Sequence, residues 1–280
     1  MALKRSKAFL CTLAACALAS GGAFAQEAAP LRDNGPTYAD LVDLAEAAPM
    51  VIRATVRNQV ALKPERAGNV APGHARLYVE ARTNSLISGN VPIGENLKYL
   101  VDVPLQENGK PPKLKKQDVI LFARTVPGRL SEIQLVDPRA QFRWSQGFED
   151  RLRPVLAETV AADKPPVVTG IQDALSVEGN LVGESETQLF LETEGDQPAS
   201  ITVLRRPGQP PEWGVSWTEI VDQSAAPIAR NTLEWYRLAC FLPATLPADA
   251  ILSSDGRTRA RATQDYRFVM EQLGPCPRTR

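Results

Sequence analysis

The chain has 280 residues, 32 basic and 32 acidic side chains, and one histidine. A charge balance of zero gives no chain-wide electrostatic reason to bind nucleic acid or anionic lipid. A single histidine excludes most zinc sites and argues against histidine-based hydrolase triads.

The first 25 residues read as a secretory signal peptide. Lys4, Arg5 and Lys7 form a positive start, Ala8 to Ala19 an apolar stretch, and Ala23-Phe24-Ala25 a small-x-small cleavage site before Gln26. Twelve apolar positions fall short of the roughly 20 that a spanning helix needs, so no transmembrane helix is expected in the mature chain. Leu13-Ala14-Ala15-Cys16 resembles a bacterial lipobox and offers a rival reading, a lipid anchor at Cys16. Cleavage before Gln26 takes three basic residues and no acidic one, leaving 29 against 32 and a net charge near −3. It also leaves two cysteines, Cys240 and Cys276. In a periplasmic or secreted protein such a pair is most simply a disulfide, worth about 4 kcal/mol in the chain-entropy picture.

Residues 26–36 are small, polar and proline-containing, and read as a disordered leader. Tyr38, Leu41, Val42, Ala45 and Ala48 share a helical face that Pro49 ends. The period then changes to two. Met50, Ile52, Ala54 and Val56 predict one strand, Leu77, Val79 and Ala81 a second, and Leu97, Tyr99, Val101 and Val103 a third. Val119 to Ala123 is continuously apolar, as in a strand covered on both faces, and Ile133, Leu135, Phe142 and Trp144 predict a fifth strand bent at Pro138. Phe148, Leu152, Val155, Leu156 and Thr159 predict a closing helix in which Pro154 marks a kink or a late start.

Residues 161–170, with Pro165 and Pro166, read as a linker. Beyond it, 187–194 and 200–206 predict a hairpin across Gly195-Asp196-Gln197-Pro198, with Leu189 and Leu191 facing Ile201 and Val203. Trp213, Val215 and Trp217 predict a third strand beside it. Pro227 sits at an expected first helical position, with Ile228, Thr232, Trp235, Ala239 and Leu242 on one face. Ala262, Tyr266, Val269 and Leu273 predict a last helix stopped by Gly274. Antiparallel neighbours of that length would hold the two cysteines about 20 Å apart. A parallel or crossing pair is therefore expected, with 244–256 running back between them.

The fold class expected is mainly β with α+β: an OB-like five-stranded barrel domain over 37–163, then an α+β domain over 164–280. The stretches "DLVDLAEAAPMVIRATV", "ARLYVEARTNSLISGN" and "LKKQDVILFAR" resemble the netrin and tissue-inhibitor (TIMP-like) branch of the OB fold over residues 38–145. Those families pack a cysteine-rich N-terminus onto the barrel, and this segment has no cysteine, which weakens any transfer of a protease-inhibitor role. Through "GESETQLFLET", "RRPGQPPEWG" and "LEWYRLACFLPATLP" the whole chain resembles a group of exported alphaproteobacterial proteins without an assigned activity.

Candidate chemistry is sparse. His74 follows Pro72-Gly73 and reads as a loop residue. Glu184, Glu186, Glu192, Glu194 and Asp196 form the densest acidic stretch; Glu192 and Glu194 would share a strand face, as an acid/base pair or calcium site, or simply as a solvated edge. Lys113, Lys115 and Lys116 form a loop cluster without the aromatics that stack bases. Trp213, Trp217, Trp235 and Tyr236 line either a groove for a peptide or glycan, or the core. No catalytic, cofactor or metal residue is assigned. The expectation is a non-catalytic binding or structural protein of the bacterial envelope with an envelope protein or glycan as partner. A carboxylate-dependent hydrolase of envelope polymers is the alternative, and an inhibitor of secreted proteases the third reading.

Overall fold

The computed structural model describes residues 35–218 and 228–279, so the expected signal peptide, Cys16, most of the expected leader and Pro227 lie outside the described residues. Helix α1 (Tyr38–Ala47) starts on a reciprocal cap: the Thr37 hydroxyl accepts from the Asp40 amide at 3.1 Å, and the Asp40 carboxylate accepts from the Thr37 amide at 2.9 Å. Strands β1 (Met50–Ala61), β2 (His74–Ser88), β3 (Asn96–Pro104), β4 (Asp118–Val126) and β5 (Arg129–Leu135) follow, with a short helix α2 (Pro64–Ala67) between β1 and β2.

These five strands close into a barrel in the order β1-β2-β3-β5-β4, with β4 pairing back onto β1 from Met50↔Ala123 to Thr55↔Asp118. The seam between β3 and β5 is parallel and short, at Lys98↔Glu132. Strand β1 serves both β2 and β4, and its pairing with β2 shifts register at three places. Such bulges supply the bend that a small barrel needs. Ile52, Ala54, Val56, Leu77, Val79, Leu97, Tyr99, Val119 and Leu121 are all buried, as their alternation predicts.

Val119 to Ala123 is buried at every position. One set of alternate side chains lies with the barrel residues. On the opposite face Phe122 meets Phe142 at 5.8 Å between ring centroids, and Phe142 meets Phe148 of helix α3 (Gln146–Val160) at 5.4 Å. Helix α3 begins on the Ser145 hydroxyl, which accepts from the Phe148 amide, and runs through Pro154. The proline is therefore neither a start nor an end, which corrects the late-start expectation.

The single bent fifth strand is also corrected. Strand β5 and a separate β6 (Gln141–Arg143) pair in succession with the same edge of β4, and the chain detours between them. Phe122 bridges the gap with its own backbone, donating to Ala140 and accepting from Val136. Pro138, which has no amide hydrogen to give a ladder, sits in the detour; its carbonyl accepts from Asp102 at 2.7 Å.

A second sheet is antiparallel throughout, in the order β10-β9-β8-β7, formed by β7 (Val168–Glu178), β8 (Ser185–Thr193), β9 (Ser200–Arg205) and β10 (Glu212–Ser216). The linker is thus shorter than expected, and β7 is a strand that the sequence pattern does not announce. Two register shifts, at Val168/Gly170 and Ile171/Asp173, break its alternation so that buried positions recur near every third residue. The hairpin of β8 and β9 pairs Leu189 with Ile201 and turns through a 3-10 segment, Glu194–Asp196.

Helix α4 (Leu233–Ala239) begins later than expected, because Thr232 is its cap: the Thr232 hydroxyl accepts from the Trp235 amide at 3.2 Å. Helix α5 (Gly256–Leu273) buries Ala262, Asp265, Tyr266, Val269 and Leu273. Gly274, at φ +67°, ends it in a conformation that a side chain would disfavour. Trp235 donates to the Leu273 carbonyl and Tyr266 to that of Pro243, so contacts between the two segments run in opposed order rather than parallel. The 20 Å difficulty disappears because α4 has seven residues and Cys276 lies past the end of α5. Cys240 and Cys276 are at disulfide distance, with Sγ–Sγ 2.03 Å and Cα–Cα 5.2 Å. Among the described residues no helix is long and apolar enough to cross a membrane.

Candidate functional site

The acidic stretch around β8 is divided between two ends of one strand. Residues 185–193 in extended form span roughly 25 Å, at about 3.3 Å per residue. Glu184 and Glu186 stand at one end: the Glu184 carboxylate accepts from the Leu181 amide at 3.1 Å, and Glu186 accepts from Gln188 at 2.8 Å. Glu192 and Asp196 stand at the other. Glu194 leaves the strand into the 3-10 turn and is exposed, so the expected face shared by Glu192 and Glu194 does not form. Among the described residues no group of three or more His, Cys, Asp or Glu side chains is placed to hold a metal ion.

Glu192 and Asp196 instead border a cavity of about 530 Å³ at the β8–β9 hairpin. Thr187 marks the α5-facing side of β8 through its bond to Asp265, so Phe190 and Glu192, at the alternate positions, point to the other side. Gln172 of β7, Gln197 and Pro198 of the turn, Ser200 of β9 and Thr218 complete most of the wall. The glycine opposite Glu192 matters here. A methyl group on Gly170 would lie 3.1 Å from Glu192 Oε2, so the carboxylate rests close over the bare backbone. Gly195 and Asp196 both have positive φ, at 75° and 54°, and the Thr193 hydroxyl donates to the Gln197 carbonyl at 2.6 Å to fix the turn. Carboxylates, amides and hydroxyls beside one aromatic ring form a set of donors and acceptors with an apolar platform, which suits a hydroxyl- or amine-bearing ligand.

The remaining candidates are placed elsewhere. His74 opens β2 rather than lying in a loop, with its Nδ1 3.1 Å from the Pro72 carbonyl. Lys113, Lys115 and Lys116 are exposed on the 105–117 loop, which Gln59 ties down through the Pro112 carbonyl and the Leu114 amide. Trp213, Trp235 and Tyr236 are core residues, and Trp217 is half-buried and donates to Glu234 at 2.8 Å. The four aromatics therefore do not form an open groove.

Sequence reasoning missed the buried charges. Asp265 is 0% exposed; it accepts from Arg205 at 2.6 Å and from the Thr187 hydroxyl, which is itself 2.8 Å from Ser176. Arg237, 1% exposed, forks onto Glu46 of α1. On the barrel exterior, Arg53 lies 3.6 Å over the Trp144 ring and pairs with Asp118 at 3.2 Å. The Trp144 indole donates to Glu149 at 2.6 Å, and Arg153 adds a second ligand to that carboxylate. The indole bond holds the Glu149 carboxyl below its ordinary value, against the opposing effect of burial, with Arg153 and Arg53 reinforcing it. The position of Asp265, beside Tyr266 on the apolar face of α5, was the one signal available.

Compared with protein-family models and with curated proteins, the chain matches none.

Proposed function

We propose that the protein is an exported, non-catalytic binding module of the bacterial envelope, and that its ligand is a glycan carrying hydroxyl and amine groups. The observation that carries this reading is the cavity at the β8–β9 hairpin, where Phe190, Glu192 and Asp196 converge with two amide side chains. An aromatic face covers the apolar side of a sugar ring, while carboxylates and amides accept and donate to its polar edge. The Cys240–Cys276 pair is compatible with an oxidising compartment and supports an extracytoplasmic setting.

Calorimetric titration of the mature protein with soluble envelope oligosaccharides tests the proposal. Binding is expected, weakened roughly tenfold by Phe190→Ala and by Glu192→Gln, on the scale of one lost aromatic platform or charged hydrogen bond. No binding to glycan would overturn it. The hydrolase reading shares this cavity, since Glu192 and Asp196 are its two carboxylates. Release of reducing ends during the titration, abolished by either carboxamide variant, would replace the binding reading with that one.

A further inference from the structure

The last six described residues, 274–279, contribute to no helix or strand, yet they lie across the start of α1. The Thr37 hydroxyl donates to the Pro277 carbonyl at 2.9 Å. Arg278 grips Asp43 through Nε at 2.9 Å and through Nη2 at 3.3 Å. Thr279 donates to Asp40 through its hydroxyl at 2.6 Å and through its amide at 3.1 Å. Arg278 and Asp43 are partly exposed and a pair of that kind is individually weak, whereas the Asp40 carboxylate that Thr279 reaches is buried. The covalent fastening of this segment is Cys276, joined to Cys240 at the end of α4.

Both cysteines are half-buried rather than sealed in the core. The two sulfurs differ in their surroundings: Arg278 Nη1 lies 3.6 Å from Cys276 Sγ. A guanidinium there favours the thiolate of Cys276, making it the better leaving group when a thiolate attacks the other sulfur.

We propose that Cys240–Cys276 is a redox-operated latch, and that its reduction by a dithiol releases residues 274–279 from α1 while the barrel stays folded. One thiolate of the reductant bonds to Cys240 Sγ as the Cys240–Cys276 bond breaks, and Cys276 departs as a thiolate beside Arg278. The second thiolate of the reductant then attacks its own sulfur in the mixed disulfide and expels Cys240, which takes up a proton. The protein gains two electrons and the reductant leaves as its cyclic disulfide.

Hydrogen exchange on the full mature protein, oxidised and then reduced with dithiothreitol under native conditions, reads the latch directly. Reduction is expected to speed exchange at the Gly274 and Thr279 amides, which donate to Met270 and Asp40, and in the first turn of α1 by about tenfold or more, with the β1–β4 amides unchanged. A Cys240→Ser/Cys276→Ser variant should show the faster exchange without reductant. Three results would overturn the proposal: a disulfide that resists dithiothreitol until the protein unfolds, exchange at 274–279 that is the same in both states, or a rise that spreads equally through the barrel strands.

Discussion

The barrel and the second sheet solve the same problem with different materials. The side chains that β1 to β5 turn into the barrel are apolar apart from the Tyr99 hydroxyl, and the buried carboxylates of this region, Asp102 and Glu149, lie on its outer face, each beside an arginine that is partly exposed. Under the second sheet the interface with α5 encloses Asp265 and two hydroxyls, and the junction of α4 with α1 encloses Arg237. An apolar core is tolerant of sequence so long as volume is kept, whereas a buried ion is tolerated only with its own partner in place. The two regions should therefore fail in different ways.

The largest effect is expected from Asp265→Ala, which strands Arg205 against the second sheet and leaves Thr187 without its acceptor. Removing one member of such a pair costs about 3–5 kcal/mol, and the partial exposure of Arg205 places the expected loss near the lower end. Chemical denaturation measures it. A loss under about 1 kcal/mol would remove the distinction between the two cores. In the barrel, Leu121→Ala opens a void at a fully buried position and should cost about 3 kcal/mol. Leu121→Met should cost less than about 1.5 kcal/mol, and equal losses from the two would mean that the barrel is not governed by volume.

The smallest effect is a pH dependence on the barrel exterior. The Glu149 carboxyl is held below its ordinary 4.5, first by the Trp144 indole. A depressed carboxyl stabilises the fold above its unfolded value, and that contribution is lost as pH falls through the lower folded value. Thermal melts should thus decline below pH 4.5, and Glu149→Gln should be less stable than the parent at pH 7 but lose less on acidification. An unchanged acid profile in the variant would assign the decline to Asp118 or Asp40, whose carboxyls are also lowered.

Much of the barrel was legible because its first three strands obey a period of two with little interruption, and Val119–Ala123 in the fourth announced its double burial by losing the period. Strand β7 was illegible for the opposite reason. Its two bulges push buried side chains onto a near-helical spacing, and Gln172, a wall of the candidate site, was lost with it. The acidic end of that site was visible in composition, but the separation of Glu192 and Asp196 from Glu184 and Glu186 depends on where the hairpin turns. An apolar spacing continues on both sides of helix α4 and imitates a longer helix, while the Thr232 cap decides where it starts. Partners such as Arg237 and Glu46 lie far apart in sequence, and no local pattern announces an ion pair of that range.

The double duty of β1 sets an order of events for the folding chain. Its Met50–Thr55 half finds β2 early, but the neighbour on its other edge, β4, arrives only about 70 residues later, a separation of the kind that slows folding. Until then one edge of the β1–β2 hairpin is an open template for other chains. Arg53, between Ile52 and Ala54, places positive charge on that waiting stretch, so the same arginine that later stacks on Trp144 guards the strand before its last neighbour exists.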